Sequence, residues 1–280
     1  MRNLLFFIPL MYTYCTRLRT FLKCFSLVCI YFVPVVYLLV LVLPSGYWSV
    51  KSVLFVFLSL VALYDVYEIG YIQNDTETVK KEVTPTSRLS REQLEYYGRH
   101  RWLIYVCRAA IGGVLVACLY DEVGTAGTVC FTCALLLILL TYQLYNRLRC
   151  HVNMLLYFML VSLRYCTPFL LFPEYFSVEL LVTLLMVFPI VKTLEYRSTK
   201  PPHVTTNIFF RKYILKFDSR RLTLWRVAAY GILSAIAVVL YFNGFFSAGH
   251  VIVVVYMFCF RLGIYALIKM GANPKGYLEG

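Results

Sequence analysis

The sequence predicts an all-α protein, a polytopic membrane helical bundle of eight transmembrane helices forming one integral-membrane domain over residues 1–280. Three observations carry that prediction. The 280 residues are 61% hydrophobic and 17% aromatic, with a mean hydropathy of +0.72, far above a soluble domain. Apolar windows close to the roughly 20 residues that cross hydrocarbon occur at about 24–43, 51–67, 102–119, 126–146, 153–172, 178–194, 223–243 and 248–268. Strict alternation of apolar and polar residues is absent, which argues against a membrane barrel.

Taken in order, residues 1–22 precede the first window. MRNLLFFIPLMYTYC has the basic start and apolar centre of a signal peptide, but Arg17, Arg19 and Lys23 follow with no small-residue cleavage site, so an interfacial or short re-entrant helix is expected. The second window is short and continues into polar sequence. The fourth, GTVCFTCALLLILLTYQLY, is the cleanest. Only two connections are long, about 68–101 and 195–222. The C-terminal GANPKGYLEG is the one stretch left that could pack in place of a ninth span.

Charge orients the bundle. With the N-terminus inside, Lys51 alone lies outside, Arg108, Arg164, Arg226 and Arg261 fall inside windows, and the rest of the 27 Lys and Arg sit on the inner side. Both termini and both long loops are then cytoplasmic. The net charge of +13 is what inner loops beside anionic membrane lipids carry, so nucleic acid is not needed as a partner. Most of the ten cysteines lie within windows, where a small apolar residue packs well, and Cys130 and Cys133 read as packing rather than a metal or redox pair.

Chemistry concentrates in the first long loop, YEIGYIQNDTETVKKEVTPTSRL. Glu68, Asp75 and Glu82 recur every seven residues, nearly one stripe of a helix, with neighbours about 10 Å apart. That is too far to share one cation, but suits a diphosphate held with Mg²⁺, which takes one or two carboxylates plus phosphate oxygens. Lys80, Lys81 and Arg88 supply countercharge, and a solvated charged loop is the plain alternative. Inside the membrane, Arg164 needs a partner, with Asp65, Glu195 beside Lys192, or an anionic ligand in reach; a structural ion pair is the alternative. Arg108 and Arg226 lie near enough to inner ends to snorkel, while Arg261 is deeper and either snorkels or lines the cavity.

Asn74 and Asp75 with the later acid Glu82 and a closing Pro85 to Arg88 segment resemble the first acidic motif of the UbiA superfamily of intramembrane prenyltransferases. Tyr145, Arg147 and Arg149, then Leu163 and Arg164, then Lys192 and Glu195, are similar to elements of one branch, the decaprenyl-phosphate phosphoribosyltransferase-like enzymes. The resemblance covers roughly residues 60–270 in short motifs. Thr78 stands where the family carries a middle acid, with Glu77 adjacent, and the second loop lacks the Asp-rich repeat of aromatic prenyltransferases.

The resemblance implies a UbiA-like bundle with its two cytoplasmic loops over a central cavity, in a bacterial inner membrane. It implies a Mg²⁺-dependent transfer of phosphoribosyl from phosphoribosyl diphosphate to a polyprenyl phosphate, for cell-envelope glycan synthesis. Asp75 and Glu82 would hold the metal, with Asn74 positioning one of them. Lys81, Arg88, Tyr145, Arg147, Arg149 and Lys192 would bind the diphosphate-activated donor, Arg164 the lipid phosphate, and Glu195 would order Lys192 or meet ribose hydroxyls. Two alternatives stay open. One is prenyl transfer from a prenyl diphosphate to a small acceptor; the other is a non-enzymatic carrier or scaffold, for which the interior prolines Pro168 and Pro189 could break a helix.

Overall fold

The computed structural model describes residues 3–81, 87–148, 150–198, 207–216, 218 and 221–271. Among them there is no strand, and the chain is helical almost throughout. The α-helices are α1 (Met11–Arg17), α2 (Phe21–Leu27), α3 (Val33–Val42), α4 (Val50–Gln73), α5 (Arg91–Arg147), α6 (Val152–Cys166), α7 (Val178–Val187), α8 (Pro189–Leu194), α9 (Arg221–Phe242) and α10 (Ala248–Lys269). Serines start several of them: the Ser49, Ser90 and Ser177 side chains accept from first-turn backbone N–H groups, and Ser90 with Gln93 completes a capping box.

Six helical runs are long and apolar enough to cross a membrane: Phe21–Val42, Val50–Thr78, Arg91–Arg147, Val152–Leu171, Arg221–Phe242 and Ala248–Lys269. Eight windows therefore become six such runs, for two reasons. Window 178–194 breaks at Phe188 (φ −150°, ψ −48°), just before Pro189, leaving only the short apolar helix Val178–Val187. Windows 102–119 and 126–146 join in α5, which contains non-helical residues at His100 and Gly124.

Gly124 matters most. Its φ of 65° with ψ −172° is a conformation only glycine takes without strain. Contacts with α4 show that α5 turns back there. Lys51 pairs with Glu122 and Asp65 with Arg108, so the first half runs antiparallel to α4. Tyr67 packs on Tyr142, and Gln73 bonds to Gln143 and Asn146, so the second half lies at the far end of α4 too. A straight helix would hold Arg108 and Asn146 about 57 Å apart, whereas their partners Asp65 and Gln73 are about 12 Å apart along α4.

By its contacts the chain divides into two compact units, Met1–Arg19 with Ser45–Leu148 and Thr167–Glu174, and Thr20–Pro44 with Arg149–Cys166 and Tyr175–Gly280. In the first, α4 packs on both halves of α5. A Cβ at Gly70 would overlap the Tyr142 ring, so glycine sets how closely these helices approach. Residues 3–17 are built into this unit rather than laid on its surface: Phe6 and Tyr12 are fully buried, within a cluster that includes Ile72, Tyr97 and Ile104.

In the second unit α9 and α10 are antiparallel, with Ser234 against the Val254 carbonyl and Gly231 facing Phe258. A widened turn, Val28–Phe32, precedes Pro34, which has no N–H to return to the carbonyls behind it. Those carbonyls find other donors: Tyr165 hydroxyl bonds Ile30 at 2.8 Å, and Tyr256 hydroxyl bonds Cys29 at 3.0 Å.

Candidate functional site

The acidic motif sits where α4 widens into a π turn, Asn74–Thr78, continued by a 3₁₀ turn, Val79–Lys81. Such widened turns re-aim side chains and recur at functional sites. Asp75 is buried and accepts five hydrogen bonds. Arg17 gives two, at 2.8 and 3.1 Å; Arg88 gives one at 3.0 Å, Tyr12 hydroxyl one at 3.0 Å, and the neighbouring Asn74 amide one at 3.1 Å. Burial, and then the negative charge of Asp75, pushes the Tyr12 phenol far up, so it remains a donor. Burial alone would lower Arg17, but the Asp75 carboxylate more than offsets it and raises the guanidinium further.

Two to three turns deeper along α4, Arg108 is wholly buried. It reaches Asp65 at 2.7 Å and Glu68 at 2.8 Å, and donates to the carbonyls of Phe6, Leu5 and Ile8 at 2.8, 3.2 and 3.2 Å. The other Glu68 oxygen accepts the Thr13 backbone N–H. Snorkelling is thus wrong for Arg108, because two carboxylates on the facing helix hold it inside. It is also wrong for Arg226, whose guanidinium grips both oxygens of Glu195 at 2.8 and 2.7 Å. Asp65, considered as a partner for Arg164, pairs with Arg108 instead.

Beside the π turn lies a cavity of about 490 Å³. Glu77, Thr78 and Gln73 form one wall, Gln143 and Arg147 from the end of α5 another, and Arg101 from its beginning a third. Glu77 accepts the Tyr97 hydroxyl and lies 3.4 Å from Arg101, so it does not join Asp75 in place of the missing middle acid. Arg101 is about half exposed, so that pair is weak and its guanidinium is free to reorient toward a ligand.

The structure thus brings Asn74, Asp75 and Arg88 together and sets Arg147 on the cavity beside their turn. Tyr145, two residues back along α5, packs edge-on against Tyr142. In the second unit, Lys192 lies 3.9 Å from Glu195, and the Arg164 guanidinium lies 4.6 Å from the centre of the Tyr31 ring. Glu82, Arg149 and the Lys81 side chain lie outside the described residues. Sequence alone assigns nothing to Tyr12 and Arg101, reads Arg17 as the basic flank of a surface segment, and reads Arg108 and Arg226 as near enough to inner ends to snorkel. A signal for the buried pairs was present, since Asp65, Glu68 and Arg108 are charges in or beside facing apolar windows, where each demands an opposite partner.

The chain matches no protein-family model, no curated protein and no solved structure. Its chemistry therefore rests on the geometry and on the motifs. Mg²⁺ does not fit the described residues as they are arranged: two guanidinium groups and two neutral donors saturate the Asp75 carboxylate, and no three His, Cys, Asp or Glu side chains converge among them.

Glu195 lies outside the six spanning runs. Burial pushes its carboxyl up, but Arg226, then Lys192 and Arg261, outweigh that and hold it below the ordinary glutamate range. The ion pair's stabilisation is complete above the ordinary value of about 4.3 and is lost as pH falls through the lower folded value. Thermal unfolding between pH 7 and pH 3 should therefore show wild type ahead of Glu195→Gln at neutral pH, with the gap closing below about pH 4. A gap independent of pH would mean that the carboxylate charge contributes nothing.

Proposed function

We propose that this chain is an integral-membrane transferase of the UbiA type, taking a diphosphate-activated donor in the cavity beside the Asn74–Thr78 turn. The favoured donor is phosphoribosyl diphosphate and the favoured acceptor a polyprenyl phosphate. The cavity carries this reading: two guanidinium groups, Arg101 and Arg147, line one space with the amides of Gln73 and Gln143 beside the motif that resembles the family's donor site. Guanidinium forks suit phosphate oxygens, and amides suit hydroxyl groups. An acceptor phosphate is already ionised, so it attacks the activated carbon without a general base while diphosphate departs toward the arginines.

The membrane arrangement follows the same proposal. Counting α5 as two crossings around Gly124, and α7 with α8 as one, gives eight, with the basic loops and both termini on the cytoplasmic side of a bacterial inner membrane.

The test uses purified protein in liposomes containing polyprenyl phosphate, supplied with labelled phosphoribosyl diphosphate or a labelled prenyl diphosphate. Label from the sugar donor should enter the lipid fraction, and Arg147→Gln should lower kcat/KM about 10- to 100-fold, the effect of losing one charged hydrogen bond. Transfer from the prenyl donor alone would replace the substrate assignment. No transfer from either donor would leave the carrier or scaffold reading in its place.

A further inference from the structure

Side-chain amides form a one-way relay between α4 and the end of α5. Asn146 donates with Nδ2 to the Gly70 carbonyl at 3.2 Å and to Gln73 Oε1 at 3.0 Å, and Gln73 Nε2 donates in turn to Gln143 Oε1 at 3.0 Å. The direction is forced, because the Gly70 carbonyl can only accept and so fixes the orientation of each amide after it. The relay therefore ends in an acceptor, Asn146 Oδ1, and in a donor, the Gln143 N–H₂ group. Asn146 is 4% exposed, and its Oδ1 is buried with no hydrogen-bond partner among the described residues.

Both ends of the relay belong to one cavity. Gln143 and Asn146 are three residues apart on α5, which sets them on one helix face with Cβ atoms about 5–6 Å apart. Both line the cavity of about 490 Å³, together with Gln73 and Arg147. Tyr105, which also lines it, does not supply the missing donor: Tyr97 gives its proton to Glu77, so Tyr105 gives its own to the Tyr97 hydroxyl. A buried acceptor without a donor carries a desolvation cost that nothing recovers, and a hydroxyl bound in the cavity removes it.

We propose that the Gln73, Gln143 and Asn146 amides read two neighbouring hydroxyls of a sugar phosphate, one donating to Asn146 Oδ1 and the other accepting from Gln143, with the phosphate on Arg101 and Arg147. A hydrocarbon chain satisfies neither end of the relay and a lone hydroxyl satisfies one. A vicinal diol satisfies both from adjacent ring positions. A site built to hydrogen-bond a hydroxyl rejects the analogue lacking it far more strongly than an apolar pocket rejects a change of size. The amides deepen the donor assignment on which their role rests: both donor classes carry the same diphosphate, so these side chains rather than the arginines tell a sugar from a prenyl chain.

Binding is measured apart from turnover, on the full chain in neutral phosphatidylcholine nanodiscs, with labelled ribose 5-phosphate and with 2-deoxyribose 5-phosphate as competitor. Ribose 5-phosphate should bind at least about tenfold tighter than the deoxy sugar, whose remaining ring hydroxyls are not adjacent. In Asn146→Leu and in Gln143→Leu that ratio should fall toward one. General loosening of the fold would leave the ratio in place, because both sugars share the phosphate contacts. Gln143 is only partly buried, so its variant decides the matter if Asn146→Leu does not fold. Equal affinity of wild type for the two sugars, no saturable binding of ribose 5-phosphate, or an unchanged ratio in both variants overturns the proposal. The transfer assay is read separately: a diol preference without transfer from either donor refutes the transferase and leaves a sugar phosphate site, whereas transfer without the preference refutes the site alone.

Discussion

Arg108→Leu should cost about 3–5 kcal/mol of stability, the range for removing one partner of a buried ion pair. Two carboxylates, Asp65 and Glu68, would face apolar surroundings with no cation, and the carbonyls of Leu5, Phe6 and Ile8 would lose their donor. One Asp65 oxygen already has no hydrogen-bond partner among the described residues, so no local reserve exists to absorb the loss. Thermal unfolding of purified protein in detergent should shift down by roughly 10 °C. Adding Asp65→Asn and Glu68→Gln should recover part of it, because neutral amides bury at lower cost than orphaned charges. An unchanged midpoint in the single variant would mean that the triad is not holding the unit together.

Asp75→Asn should have the largest effect on activity, a loss of at least about 100-fold under the transferase reading. The reason is geometric. The amide presents an N–H₂ group to donors that now all converge on a carboxylate, so Arg17 and Arg88 lose their common anchor. A second readout is independent of catalysis: hydrogen exchange in residues 3–17 should quicken, since Arg17 and Tyr12 tie that segment to Asp75. Exchange matching wild type would show that the segment is held by Arg108 and its apolar packing alone. Full turnover in the variant would remove Asp75 from the site.

Hydropathy made the helical class legible, because no soluble or barrel protein carries so many apolar runs of membrane length. The number of crossings was less legible. Phe188 and Gly124 decide it through backbone angles, and glycine in an apolar run looks the same whether it bends a helix or simply packs. Asn74, Asp75 and Arg88 were identifiable from their density within an apolar chain. Arg17 was not, since a basic residue after an N-terminal apolar stretch also fits a surface anchor; only folding shows Tyr12 and Phe6 buried and Arg17 turned inward. Arg226 was underweighted for a similar reason. Position along a helix gives depth, but whether a long cationic side chain reaches outward or across depends on a carboxylate from another segment, here Glu195.

The route of the chain through the two units bears on how the protein is made. Residues 3–17 emerge ahead of Arg108, which ties their carbonyls to Asp65 and Glu68 and follows about ninety residues later, after the chain has left for Thr20–Pro44 and come back. The N-terminal segment must therefore wait, unanchored, until the first half of α5 is in place, and folding from the N-terminus onward cannot proceed as a simple succession of finished pieces. Since Arg149–Cys166 also departs before Thr167–Glu174 returns, no single cut yields either unit whole, and the protein must be assembled as one interlaced chain.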